Sequence, residues 1–264
     1  MRSHFASLIL CVGLGLLAGC GGGSDSNVAL APTGTGGSST VAVTGIWAGS
    51  FTLGATPGST AIVAVIKQGG ASFFYDQSGV MYVLPNFNGG TSLNGTMTAF
   101  APQGVTLTNG KTTETFDVTG TVSSSAITGT FTDTSNNLTG TFTLTPLAAF
   151  GGNPSLVAGT WDGFYVGSGS STFVDLTVQA GGVFVGHDAN GCTLNGNIST
   201  TAPDDVFTVT VDSTGGPLCA GNLTGLAFES NRDLSGFFGG TTGTYYYVGV
   251  SNATAAFVAE LKVQ

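Results

Sequence analysis

Gly45-Ile46-Trp47-Ala48-Gly49-Ser50-Phe51 and Gly159-Thr160-Trp161-Asp162-Gly163-Phe164-Tyr165 are two versions of one stretch, and they hold the only two tryptophans of the chain. An echo so far apart points to internal duplication. Two further matches follow in the same order. Ser92-Leu93-Asn94-Gly95-Thr96-Met97 resembles Thr193-Leu194-Asn195-Gly196-Asn197-Ile198. Ile127-Thr128-Gly129 and Leu138-Thr139-Gly140 resemble Leu223-Thr224-Gly225 and Leu234-Ser235-Gly236. The order and near-constant offsets predict two copies of one domain, over residues 42–149 and 156–264, with the boundary in the Pro- and Gly-containing stretch 148–155.

Both copies read as strands. Phe116-Asp117-Val118-Thr119-Gly120-Thr121-Val122 and Val206-Phe207-Thr208-Val209-Thr210-Val211 alternate apolar with small or polar residues, the period of a chain with one face buried. No comparable helical stripe follows the N-terminal region. Ser135-Asn136-Asn137 and Ser230-Asn231-Arg232-Asp233 carry turn chemistry and predict hairpins. The fold class is therefore all-β: two tandem, duplicated, small antiparallel β-barrels or sandwiches of about seven to nine strands each. Closure into barrels removes exposed strand edges.

The Gly-X-Trp at the head of each copy resembles the calycin superfamily, the lipocalins and avidins. Gly159-Thr160-Trp161 followed by Ser170-Ser171-Thr172-Phe173-Val174 is the more avidin-like copy. The resemblance covers some twenty residues per copy. It implies a barrel whose tryptophan plugs one end, the role it assigns to Trp47 and Trp161. It does not carry biotin binding, because each copy has one tryptophan where an avidin pocket has several. The polar residues that follow the motif in avidins are here Asp162-Gly163-Phe164-Tyr165, and a lipocalin's closing basic residue has no match.

The N-terminus is a processing segment. Arg2 precedes an apolar run over residues 5–19, short for a membrane-spanning helix of roughly twenty residues. It ends in Leu17-Ala18-Gly19-Cys20, which resembles the bacterial lipobox. The resemblance implies a signal peptide over 1–19, a diacylglyceryl thioether on Cys20 and acylation (palmitate or similar) of the new N-terminus. Several acyl chains make a durable membrane anchor, each buried methylene contributing about 0.8 kcal/mol. Residues 20–41, beginning Gly21-Gly22-Gly23-Ser24, are poor in large side chains, as a flexible tether is. An aspartate after the lipidated cysteine retains lipoproteins in the inner membrane, and Gly21 stands there instead. The expected location is the bacterial envelope, at the outer membrane.

Composition narrows the partners. Only 7% of residues are charged, and once Arg2 is removed with the leader, Lys67, Lys111, Arg232 and Lys262 face fourteen carboxylates. That balance argues against nucleic acid and against electrostatic docking on anionic lipid. Cys11 leaves with the leader, so Cys192 and Cys219 remain to form one disulfide in an oxidising compartment, contributing about 3–4 kcal/mol in the chain-entropy account. Two distant thiols and one mature histidine make no four-ligand zinc site; no metal and no cofactor is expected.

Catalytic candidates are few. His187-Asp188 invites a general-base reading, but neighbouring strand residues face opposite ways and Asp188-Ala189-Asn190-Gly191 is a turn sequence. No Gly-X-Ser-X-Gly elbow frames a serine. Asp162, Asp175, Asp204 and Asp205 are scattered, with nothing to select a glycosidase pair, and calcium at Asp204-Asp205 is a minor alternative. Gly69-Gly70 and Gly239-Gly240 precede no helix that could cradle phosphate. The aromatic runs Phe73-Phe74-Tyr75, Phe237-Phe238 and Tyr245-Tyr246-Tyr247 divide between core and exterior, where the outer members could meet a protein or glycan. An outer-membrane pore is not expected, since such barrels usually end in an aromatic residue and this chain ends Leu261-Lys262-Val263-Gln264. The expected function is a non-enzymatic one for a membrane-anchored lipoprotein, either binding, with capture of a small apolar ligand as the sharper form, or envelope structure. A surface adhesin or protein-contact module is the alternative, and a glycan hydrolase the lesser one.

Overall fold

The computed structural model describes residues 43–54, 58–88, 90–107, 110–147, 156–168, 170–200, 206–232 and 241–264. The leader, Cys20 and its tether, the boundary stretch 148–155, Asp204, Asp205, and the 234–236 and 237–240 motifs lie outside the described residues. The described chain is all-β, with no α-helix. One barrel is built from β1 (Gly45–Leu53), β2 (Thr60–Ile66), β3 (Ser72–Asp76), β4 (Met81–Leu84), β5 (Ser92–Phe100), β6 (Thr113–Val122), β7 (Ile127–Asp133) and β8 (Thr139–Pro146). The other is built from β9 (Gly159–Gly167), β10 (Ser170–Val178), β11 (Val183–Asp188), β12 (Thr193–Thr200), β13 (Phe207–Thr214), β14 (Gly221–Arg232), β15 (Thr242–Ser251) and β16 (Ala256–Val263). Both are antiparallel and closed, β1 pairing with β8 and β9 with β16, so sandwiches are excluded.

The repeated heptad is the seam of each barrel. Its first glycine has φ +144° at Gly45 and +148° at Gly159, a region that disfavours any Cβ. Its tryptophan points inward, and the indole N–H donates to a carbonyl four residues earlier, Trp47 to Val43 and Trp161 to Val157, each at 2.9 Å. Its second glycine lets the first and last strands close. A Cβ on Gly49 would sit 1.8 Å from the Thr143 carbonyl oxygen, and one on Gly163 2.0 Å from that of Glu260.

The other matches do not fall on equivalent strands. Leu93-Asn94-Gly95 lies on β5, the fifth of its barrel, whereas Leu194-Asn195-Gly196 lies on β12, the fourth. Ile127-Thr128-Gly129 is on a seventh strand and Leu223-Thr224-Gly225 on a sixth. The architecture and the tryptophan motif repeat; these shorter likenesses reflect a shared strand grammar instead. Threonine faces out, where Thr119 bonds Thr130 and Thr121 bonds Thr128 at 3.0 Å, and glycine faces in beneath a ring, as Gly140 does under Phe131. The turn expected at residues 230–233 is also corrected. β14 runs through Arg232 with a register shift between Ser230 and Arg232, and Ser230, fully buried, is paired with Tyr245. The Ser135-Asn136-Asn137 turn is present, with Asn137 at φ +57°.

Apolar interiors and threonine-bearing walls invert the polarity of a barrel with a lipid-facing apolar band. The two barrels pack flank to flank through a third apolar cluster. Val65, Phe73, Met81 and Val83 from the outer wall of β2–β4 meet Leu226, Phe228 and Tyr247 from β14 and β15. Each aromatic run is divided by strand alternation: Phe74 and Tyr246 enter their own barrels, while Phe73, Tyr245 and Tyr247 turn out into this shared face. Phe73, Tyr245 and Tyr247 are thus buried within the molecule, while Tyr75 is half-buried.

Candidate functional site

Strand direction gives each barrel two ends. In the second barrel Trp161, Tyr246 and Phe207 close one end. Trp161 stacks on Tyr246 at 4.0 Å and 5°, and the Tyr246 oxygen accepts the Val157 N–H at 3.0 Å. Burial pushes the Tyr246 hydroxyl up to about 12. The rim at the other end is formed by the β11–β12 turn and the 215–220 loop, joined by the Cys192–Cys219 disulfide with Cα atoms 5.6 Å apart.

Between floor and rim lies a cavity of about 80 Å³. Its wall is mainly aliphatic, with Val174, Leu176, Val209, Val248 and Leu261 among its members beside Phe184 and Phe257; among the described residues only Tyr165, Asp188 and Ser213 bring polar side-chain atoms. Leu218, 67% exposed, belongs to the same wall, so the cavity reaches the surface beneath the disulfide-tied loop.

The first barrel is more nearly filled. Phe51, Tyr82, Phe116 and Phe131 interlock with centroids 5.7–6.3 Å apart, leaving about 40 Å³ of wholly apolar space. The β5–β6 connection packs Val105 and Leu107 onto this core at the end that corresponds to the open rim of the second barrel. More rings line the first cavity (Phe51, Phe74, Tyr82, Phe131, Phe142) than the second (Tyr165, Phe184, Phe257), which accounts for the difference in room.

An Asp-x-x-Gly turn ends the third strand of each barrel, a repeat that sequence reading missed. Asp76 Oδ1 accepts the N–H groups of Ser78 and Val80 at 2.8 and 3.2 Å, and Oδ2 accepts the Tyr82 hydroxyl at 3.0 Å. Asp188 Oδ1 accepts the N–H groups of Asn190 and Cys192, both at 2.9 Å, and Oδ2 accepts the Tyr165 hydroxyl at 2.7 Å. Asp76-Gln77-Ser78-Gly79-Val80 against Asp188-Ala189-Asn190-Gly191-Cys192 was the available signal. The two share only aspartate and glycine, a pairing common to ordinary turns.

The remaining candidates separate. His187 is exposed on the outer wall while Asp188 points inward, so the two do not cooperate. Asp162 and Asp175, scattered in sequence, sit opposite each other on β9 and β10, flanked by Lys262 and His187 in the same row. Partial burial and the Asp175 charge hold the Asp162 carboxyl above its ordinary value. This row lies on the outer wall, away from both cavities. Among the described residues no three His, Cys, Asp or Glu side chains gather as a metal site. In the first barrel, Glu114 and Asp133 are buried together, with Glu114 Oε2 and Asp133 Oδ2 lacking other partners. Burial and the neighbouring Asp133 raise the Glu114 carboxyl. Burial would raise Asp133 as well, but the Ser135 N–H and hydroxyl outweigh it and hold that carboxyl low. A proton kept by Glu114 and donated to Asp133 satisfies both orphaned oxygens.

No protein-family model matches the chain, and no curated relative does. Among solved structures, the chain has a likeness to a protein of unknown function from the DUF3598 family of Nostoc punctiforme. The two are 12% identical over 84% of this chain and 96% of that one, with a TM-score of 0.26. A score that low carries no argument about fold or function.

Proposed function

We propose that this chain is a non-enzymatic envelope lipoprotein, tethered through Cys20 and placed at the outer membrane, that captures a small apolar molecule in its second barrel. The observation that carries the capture reading is the aliphatic cavity of about 80 Å³, which reaches the surface at Leu218. An apolar cavity with a few convergent polar groups is the usual form of a small-molecule site. The anchor rests on Leu17-Ala18-Gly19-Cys20 and the glycine-rich tract behind it.

Calorimetric titration with hexan-1-ol tests capture. The intact protein binds one equivalent, and Ala259→Leu, which puts three carbons into the cavity wall, weakens binding by roughly tenfold or more. Absence of saturable heat in the intact protein overturns the reading. For the anchor, labelling cells with radioactive palmitate marks the wild-type chain and not Cys20→Ala; equal labelling of both contradicts it. The protein-contact alternative keeps some footing in Phe173, Val183 and Val185, exposed on the outer wall of β10 and β11.

A further inference from the structure

Resting on the capture reading, we infer that the second barrel selects its ligand by head group. It takes a short amphiphile bearing a hydrogen-bond donor, an alcohol or a protonated amine, and rejects the corresponding carboxylate.

The polar atoms of the cavity are gathered at the rim. Asp188 is 7% exposed and lines the cavity. Each oxygen of a carboxylate offers about two acceptor directions. Oδ1 spends both on the N–H groups of Asn190 and Cys192, whereas Oδ2 receives the Tyr165 hydroxyl and retains one direction. Ser213, on β13 two strands along the same wall and also 7% exposed, brings a hydroxyl into the cavity lining.

The charges around the site point the same way. Among the described residues no cationic side chain lines the cavity. Lys111 lies 3.9 Å from Glu114 in the other barrel, and Lys262 lies over the Tyr245 ring on the outer wall. A carboxylate head would meet the Asp188 charge in apolar surroundings with no counter-ion, an arrangement that strongly disfavours binding. A donor head finds the open direction of Oδ2 and the Ser213 hydroxyl, and the net charge of −9 draws cations toward the molecule.

The first barrel supplies an internal contrast. Asp76 makes the same turn but takes a further bond from the Ser78 hydroxyl, and it does not line that barrel's wholly apolar cavity. The exposure of the acidic acceptor to a cavity is thus particular to the second barrel.

Titrating the intact protein, disulfide formed, with hexylammonium, hexan-1-ol and hexanoate at neutral pH tests this. Hexylammonium and hexan-1-ol are expected to bind, and hexanoate at least roughly tenfold more weakly than either. In Asp188→Asn, whose amide oxygen can still accept the turn N–H groups while its NH2 replaces the Oδ2 acceptor, hexylammonium and hexan-1-ol should bind more weakly and the hexanoate disadvantage should shrink to about threefold or less. An unchanged urea midpoint reports that the variant is folded. Equal binding of all three probes to the wild type, or an unchanged hexanoate disadvantage in the variant, overturns head-group selection and leaves capture standing. Binding of none overturns both.

Discussion

Gly163 and Trp161 show how much of each barrel depends on single positions. A methyl group on Gly163 would meet the Glu260 carbonyl oxygen at 2.0 Å, and its nearest neighbours are all backbone atoms of β16, with no flexible group to yield. Gly163→Ala should lower stability by about 3 kcal/mol or more, read as a shift in the urea midpoint; an unchanged midpoint contradicts the close approach. The heptad was legible in the sequence because glycine and tryptophan are both chemically singular there. The Glu114–Asp133 pair was not, because partners on β6 and β7 meet only through register. Its pH signature has a definite sign. The folded state holds the Glu114 carboxyl above its unfolded value, so its contribution is fully present below the unfolded pKa and is lost as pH rises through the folded one. Glu114→Gln imitates the protonated form and should gain stability over the wild type on going from pH 4 to pH 8, measured by parallel urea melts. A difference that is constant across that range contradicts the shared proton.

At the scale of elements, the disulfide was readable from the count of mature cysteines, but its place was not. The bond spans 27 residues and joins two rim segments, the turn after β11 and the loop before β14. Cys192→Ser with Cys219→Ser should cost about 3–4 kcal/mol and speed exchange of backbone amides in residues 215–220 before those of the strands. Loss of stability without faster exchange at the rim would contradict this placement. The stretch at 230–233 misled because Ser, Asn, Arg and Asp favour turns locally, while the cross-strand partner Tyr245 and burial between the barrels draw Ser230 into the sheet. The short Thr-Gly likenesses misled in another way. They record the outside-inside alternation that any strand of either barrel can use, so they matched without sharing a position.

The molecule as a whole is two closed barrels with one apolar seam between them, and the seam decides how it unfolds. Phe73 is 2% exposed and packs against the opposite barrel, close enough that a Cβ on Gly249 would lie 3.0 Å from its ring. Phe73→Ala should cost about 3–4 kcal/mol and split one calorimetric transition into two; a single undiminished transition contradicts a stabilising seam. Sequence alternation showed that each run divides between inside and outside, but not which members leave or where they go, because their partners lie on another domain. The same limit hid the cavity, whose size depends on how many rings turn into each interior. The most direct test of capture is a two-dimensional amide NMR titration of the intact protein with hexan-1-ol. Saturable shifts are predicted for Val174, Leu176, Val209 and Val248, with the first barrel unmoved. Shifts that grow without saturation, or that spread equally over both barrels, would contradict a ligand site in the second.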